Sequence, residues 1–199
     1  MISYSNKQLN LEWEGPYSIK DNDIYTQTLP GLYLFTILHK GEYFVQYIGK
    51  TRMPISSRLV GYGGTTGHLR DAVSGRYFLY EPAQRRNLSL VTAYKLDDNF
   101  GEFFMNLEKY QAIARQNLED TAFFFCTFQD QLDLVEIAEG ILILTALKPN
   151  NPDFPIIENS RRGVAPATYG SGIIISNRFP DSAVVRGFAG LLTDENLAI

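Results

Sequence analysis

Three phenols, two cations and one carboxylate stand out for the chemistry that their types and spacing allow. Tyr33 lies two residues after Gly31 and Tyr47 two residues before Gly49, so each phenol sits beside a glycine corner. Lys50 follows Gly49 directly, and Arg58 and Tyr62 lie four residues apart just beyond it. Glu139 shares a helical stripe with Leu132, Val135, Leu142 and Ala146. A carboxylate on such a stripe carries a large desolvation cost unless an ion pair or a bound cation compensates it. Together these groups offer a base, a phosphate clamp and a metal ligand, which is the set that phosphodiester hydrolysis requires. Each also has a plainer role. The tyrosines can be structural, the cations can lie on the surface, and Glu139 can pair with a core arginine or sit exposed at a helix edge.

The elements that must position these groups are legible from hydrophobic period. Leu32 to Leu38 and Tyr43 to Ile48 are apolar, aromatic and β-branched runs around the turn His39-Lys40-Gly41-Glu42, which predicts a β-hairpin. Pro54 opens a short helix with Ile55 and Leu59 on one face. A glycine-rich loop follows over 61–67, then a strand candidate at 88–94 and an amphipathic helix from Glu102 to Asn117. Thr121 to Phe128 is apolar throughout and predicts a central strand. Gln131 to Leu147 predicts a buried helix, because apolar residues surround nearly its whole circumference; Asp130 is its expected N-cap and Pro149 follows its end. Residues 1–30 read as a lead-in strand or arm, and Ile173 to Ile175 as a further strand.

Composition bounds the class. With 199 residues, 45% hydrophobic and 20% charged, the chain suits a single domain spanning 1–199 and is not a disordered chain. The lone Cys126 lies in an apolar run and reads as a buried thiol in a reducing, cytoplasmic setting. One Cys and two His exclude a structural zinc site. Residues 1–25 carry Lys7, Glu12, Glu14 and Lys20, unlike a secretory leader, and no apolar run approaches membrane-spanning length. Gly49-Lys50-Thr51 is not the end of a nucleotide-binding loop, since Phe44 stands where that loop needs glycine. The net charge of −4 hides an asymmetry: residues 40–90 are net +5, with six arginines, and residues 91–160 are net −8. Arginine suits bidentate phosphate contact; the plainer reading is a solvated face balanced by the acidic segment.

Gly31-Leu32-Tyr33, thirteen further residues, then Tyr47-Ile48-Gly49-Lys50 resembles the signature of the GIY-YIG nuclease superfamily. The later positions resemble it too: Arg58 nine residues after Gly49, Tyr62 four after Arg58, Glu139 on the helix after the third strand, and Asn151 twelve after Glu139. That register favours Glu139 over Glu136, because Lys148 lies twelve beyond Glu136. The resemblance implies an α+β fold with a small three-stranded antiparallel sheet flanked by helices. It covers 31–62 and 119–151, with an insertion over 63–118 and a C-terminal extension over 152–199. It also implies a catalytic set of Tyr33, Tyr47, Lys50, Arg58, Tyr62, Glu139 and Asn151, with Glu139 holding Mg²⁺ or Mn²⁺ as a hard cation. Arg58 would clamp the scissile phosphate, and Tyr62 and Asn151 would position the phosphate or the glutamate. One of Tyr33 or Tyr47 would deprotonate the attacking water. A phenol titrates near pH 10, so it needs a neighbouring cation such as Lys50 to act as a base at neutrality.

The expected function is therefore metal-dependent DNA cleavage, of the sequence-specific restriction type. The chain shows no separate DNA-binding domain and carries its extra mass inside and after the catalytic core. Arg52, His68, Arg70, Arg85 and Arg86 are the expected DNA contacts, with Arg76, Arg161 and Arg162 also available. Cutting both strands with one site per chain calls for a homodimer, and no membrane is involved. The competing expectation is a catalytically silent module on the same fold that binds nucleic acid or protein.

Overall fold

The computed structural model describes residues 2–5, 7–60, 105, 106, 108, 112, 116, 118–129, 132–148, 151, 153, 159, 161, 164–188 and 191–193. Along these residues the chain forms β1 (Ile2–Ser5), β2 (Gln8–Glu12), β3 (Glu14–Tyr17), α1 (Asp23–Thr26), β4 (Gly31–His39), β5 (Glu42–Thr51) and α2 (Ile55–Val60). Then come β6 (Thr121–Thr127), α3 (Leu132–Ala146), a 3-10 turn at Pro166–Thr168, β7 (Ile174–Arg178) and β8 (Leu191–Thr193). The protein is thus α+β, with two four-stranded sheets in the orders β3-β6-β4-β5 and β1-β2-β7-β8.

The expected hairpin is β4–β5. Lys40 and Gly41 both take positive φ, at 52° and 85°, between the paired residues His39 and Glu42. Two successive left-handed residues give the turn whose twist matches that of the flanking strands. The register runs from Gly31 opposite Thr51 to His39 opposite Glu42, with one bulge: Phe35 opposes Tyr47 and Thr36 opposes Val45, leaving Gln46 as the extra residue. The third strand, β6, pairs antiparallel with β4 and is central, as its unbroken apolar run predicts. The sheet nonetheless has four strands rather than three. β3, from the N-terminal segment, pairs with the outer side of β6. That edge is short and contains Pro16, features that blunt an exposed sheet edge against further pairing.

Successive residues of a strand point to opposite faces, so the central sheet is covered twice. On one face Leu32, Leu34, Ile48, Phe124 and Cys126 pack with Val135, Ala138, Ile141 and Leu142 of α3 and with Leu9, Leu11 and Ile175 of the second sheet. On the other, Tyr33, Phe123 and Phe125 pack with Ile24 of α1, Ile55 and Leu59 of α2, and Leu118. Each large aliphatic side chain buried this way stabilises the fold by about 1.5–3 kcal/mol relative to exposure.

The second sheet is an addition that local period does not announce. β2 pairs parallel with β7, Gln8 opposite Ile174 through Glu12 opposite Arg178. Trp13 anchors the join: its indole N–H donates to Asn177 Oδ1 at 2.9 Å and its ring stacks on Phe179 at 5.5 Å. The segments read as an arm and a C-terminal extension therefore build one sheet between them. Beyond β8's partner, the C-terminal segment also lines the open edge of β5. The Tyr43 N–H donates to the Val184 carbonyl at 2.8 Å, and the Arg186 N–H donates to the Tyr43 carbonyl at 2.9 Å. The Asn159 amide bonds both backbone groups of Ile48, accepting from its N–H at 2.8 Å and donating to its carbonyl at 2.7 Å. Arg186 locks the arrangement through Glu42 at 3.2 Å and Asp153 at 3.1 Å. Among the described residues no helix is long and apolar enough to cross a membrane.

The loop at 61–67, the strand candidate at 88–94, most of the helix expected over Glu102 to Asn117, most of the 63–118 insertion and Asp130 as N-cap lie outside the described residues.

Candidate active site

β4 and β5 place the two tyrosines on one sheet face. Tyr33 sits directly across from Gly49, and Tyr47 across from Phe35. The Tyr33 ring lies over the Gly49 backbone, so closely that a Cβ on Gly49 would overlap the ring and its hydroxyl. Glycine at that position is a requirement of this approach. The Tyr33 ring is 1% exposed, and its centroid lies 5.6 Å from that of Phe35 and 6.2 Å from that of Tyr47. Tyr47 is only half-buried. Of the two phenols, Tyr47 is therefore the one with access to solvent, and Tyr33 is a core ring.

α2 begins just past β5 and is tied to the segment before β4. The Ile55 N–H donates to the Leu29 carbonyl at 3.0 Å, and the Ser56 hydroxyl to the Gln27 carbonyl at 2.7 Å. Burying Ile55 and Leu59 under the tyrosine face leaves Arg58 half-buried on the flank of the helix. Arg58 therefore belongs to the same side of the sheet as Tyr33 and Tyr47.

Glu139 lies on the other side. It is 7% exposed on α3, among Val135, Ala138 and Leu142, all fully buried. Lys50 reaches it from β5, with Nζ 2.8 Å from Glu139 Oε2. Burial pushes the Glu139 carboxyl above its ordinary range, while hydrogen bonds from the Lys50 ammonium and backbone N–H pull in the opposite direction. The expected compensation for a carboxylate on an apolar stripe is thus supplied, and it comes from Lys50 rather than from a core arginine. One residue past the strand, Arg52 bonds Glu136 at 3.1 Å and lies 3.5 Å from Asp133. Asp133, Glu136 and Glu139 are spaced three apart on α3, so the end of β5 presents two cations to a stripe of three carboxylates.

The structure brings some of the expected residues together and separates others. Lys50 and Glu139 meet. Lys50 leaves β5 on the face opposite Tyr47 and Gly49, so its observed partner is the carboxylate and not a phenol. Asn151 closes the end of α3: its Nδ2 donates to the Thr145 carbonyl at 3.1 Å and its Oδ1 accepts from the Asp153 N–H at 3.1 Å. Thr145 is six residues beyond Glu139, or about 9 Å along the helix axis, so Asn151 orients the helix end rather than the carboxylate. Arg161 is exposed. Tyr62, His68, Arg70, Arg76, Arg85, Arg86 and Arg162 lie outside the described residues. Two residues that sequence reasoning passed over, Asn159 and Arg186, hold the edge of the strand that carries Tyr47 and Lys50. A neutral Asn and a lone Arg in irregular segments carry no local signal of such a role.

Cys126 is fully buried on the α3 side, and burial pushes its thiol up to about 12, which makes it an inert core residue. Among the described residues no group of three His, Cys, Asp or Glu side chains is placed to hold a metal ion. A hard divalent cation that keeps most of its waters needs less than such a group. Glu139 fits that minimal donor set: it is desolvated, it is anionic when paired, and Oε2 is the oxygen that the Lys50 ammonium contacts. A comparison of the chain with protein-family models, curated proteins and solved structures finds no match.

Proposed function

We propose that this protein is a divalent-metal-dependent DNA endonuclease of the GIY-YIG type, acting as a restriction-type enzyme. The observation that carries the reading is Glu139, a carboxylate 7% exposed on an otherwise apolar helix and held at the end of the strand that bears Tyr47 and Lys50. An apolar side chain would fill that position without the desolvation cost that a carboxylate carries. The order of hairpin, short helix, strand beside β4 and buried helix also supports it.

β5 is an edge strand, and its end lets groups from both sheet faces serve one substrate. Tyr47 and Arg58 stand on one side of that edge, and Lys50 and Glu139 on the other. Asn159 covers that edge at Ile48 and the C-terminal segment covers it at Tyr43, so a phosphodiester would meet both sets only past that cover, at Gly49 to Thr51. In this reading Arg58 binds a nonbridging phosphate oxygen and holds the developing charge. Tyr47, with solvent access, takes the proton of the attacking water, with Arg58 rather than Lys50 as the cation on its own sheet face that would favour the phenolate, while buried Tyr33 fixes the hairpin against Gly49. Glu139 would hold Mg²⁺ or Mn²⁺, whose charge, when bound, polarises the phosphate and favours departure of the leaving oxygen. Asn151 keeps the end of α3 in place. Because β7 and β8 belong to the second sheet and Val184 and Arg186 bond the β5 edge, base reading falls to the basic stretch of 40–90, and cutting both strands calls for two copies of the chain.

A second reading has its own support. Lys50 already neutralises Glu139, which is what a silent DNA-binding module on the same fold would need for stability alone. Incubating the purified protein with plasmid DNA in Mg²⁺, against EDTA, separates the two. Discrete fragments that require Mg²⁺ support the nuclease, and salt-dependent binding with intact DNA supports the module.

A further inference from the structure

The pairing of Glu139 with Lys50 has a consequence for how a cation reaches the site. Glu139 is more than nine-tenths buried, so its charge demands a counter-charge at all times. In the structure that counter-charge is the Lys50 ammonium, 2.8 Å from Oε2. A divalent cation on the same carboxylate would stand within a few ångströms of a like charge, in a setting where water screens poorly. One of the two must leave. Lysine can: its ammonium is a point charge on a flexible stem, and the Lys50 side chain is 27% exposed, which leaves a route to solvent. The other carboxylates of the stripe do not retain it, since Arg52 engages both Glu136 and Asp133.

We propose that Lys50 and the divalent cation are mutually exclusive at Glu139, so that Lys50 closes the site in the resting protein and must swing out for the cation to bind. This rests on the proposed nuclease reading and deepens it. Lys50 is then a regulator of cation occupancy, and the apparent metal affinity of the protein is set by the strength of one ion pair. The ammonium released from Glu139 is free to meet an incoming phosphate.

Mn²⁺ binding to the full chain, followed by loss of the electron paramagnetic resonance signal of free Mn²⁺, tests this without reference to activity. Lys50→Met removes the competitor and should tighten Mn²⁺ binding about tenfold or more, the equivalent of losing a charged hydrogen bond. The same variant should lose thermal stability without metal and regain it on adding Mn²⁺, because the cation replaces the missing counter-charge. Lys50→Arg supplies a fork that grips the carboxylate more firmly and should weaken Mn²⁺ binding; it also serves if Lys50→Met does not fold. Glu139→Gln should bind no Mn²⁺ at this site. Equal Mn²⁺ affinity in the parent, Lys50→Met and Lys50→Arg, with loss in Glu139→Gln, overturns the competition and leaves the metal role standing. Mn²⁺ binding that is absent throughout, or that survives Glu139→Gln, overturns the metal role and the competition with it.

Discussion

Gly49→Ala is the sharpest test of how the hairpin holds its tyrosines. A Cβ at that position would lie 2.5 Å from the Tyr33 hydroxyl oxygen and closer still to Cζ and Cε2 of the ring. The ring has nowhere to go: Phe35 and Tyr47 flank it at centroid distances of 5.6 and 6.2 Å, and it is 1% exposed. Overpacking of this kind costs about 1–3 kcal/mol, and a rigid, buried ring overlapped at its hydroxyl-bearing end belongs to the upper half, about 2–3 kcal/mol. For a chain of this length that is a fall of roughly 5–10 °C in Tm. Urea unfolding should show the loss as a lower midpoint at unchanged slope. Tyr33→Phe removes only the hydroxyl and should leave the cost of Gly49→Ala almost intact. Tyr33→Leu removes the clashing ring atoms and should recover about 1 kcal/mol or more of it in a double-mutant cycle. A Gly49→Ala protein within about 0.5 kcal/mol of the parent, or an equal cost in the Tyr33→Leu background, would refute the placement of the ring over Gly49.

Asn159→Ala should cost about 1–3 kcal/mol by leaving the Ile48 N–H and carbonyl without their edge partner, and should speed hydrogen exchange at the Ile48 amide; unchanged exchange there counts against the edge role. Glu139 titrates above its ordinary value of 4.5 in the folded chain, chiefly through burial, so it binds its proton more tightly folded than unfolded. Its contribution to stability is complete below that ordinary value and is lost as pH rises through the folded one. As pH rises above that ordinary value the urea midpoint of the parent should fall relative to that of Glu139→Gln, and parallel profiles would show no such linkage. Arg58→Ala should lower the cleavage rate constant about 100-fold, a loss of about 3 kcal/mol, with a smaller loss in DNA binding, as expected of a group whose contact tightens with developing charge. Equal losses in rate and binding would make Arg58 an ordinary phosphate anchor.

The parts of the fold that were legible in the sequence are those whose cause is local. Alternating and continuous apolar runs around Lys40-Gly41 specify the hairpin, and the unbroken Ala122 to Cys126 run specifies a strand buried on both faces. The apolar circumference of α3 specifies its burial, and the exception at Glu139 marks the one charge that needs a partner there. The second sheet was not legible because β2 and β7 are paired across more than 160 residues, and each strand alone is a short, ordinary run. Asn159 and Arg186 act on backbone and carboxylates far away in sequence, so no spacing reveals them. The face assignment is legible in the sequence: Tyr47 and Lys50 are three residues apart on one strand, an odd offset, which sends their side chains to opposite faces. That simple count separates Lys50 from the phenols and sends it to α3, where Glu139 waits among apolar neighbours.

Glu139 carries the proposed activity, and one paired measurement tests its role: DNA cleavage in Mg²⁺ by the parent and by Glu139→Gln, with DNA binding of each measured at the same salt. The amide keeps the shape of the side chain and loses the charge that would hold the cation. The predicted result is discrete fragments from the parent, none from Glu139→Gln, and comparable binding by both. Cleavage by Glu139→Gln at the parent's rate, or a parent protein that binds DNA in Mg²⁺ and leaves it whole, would contradict it.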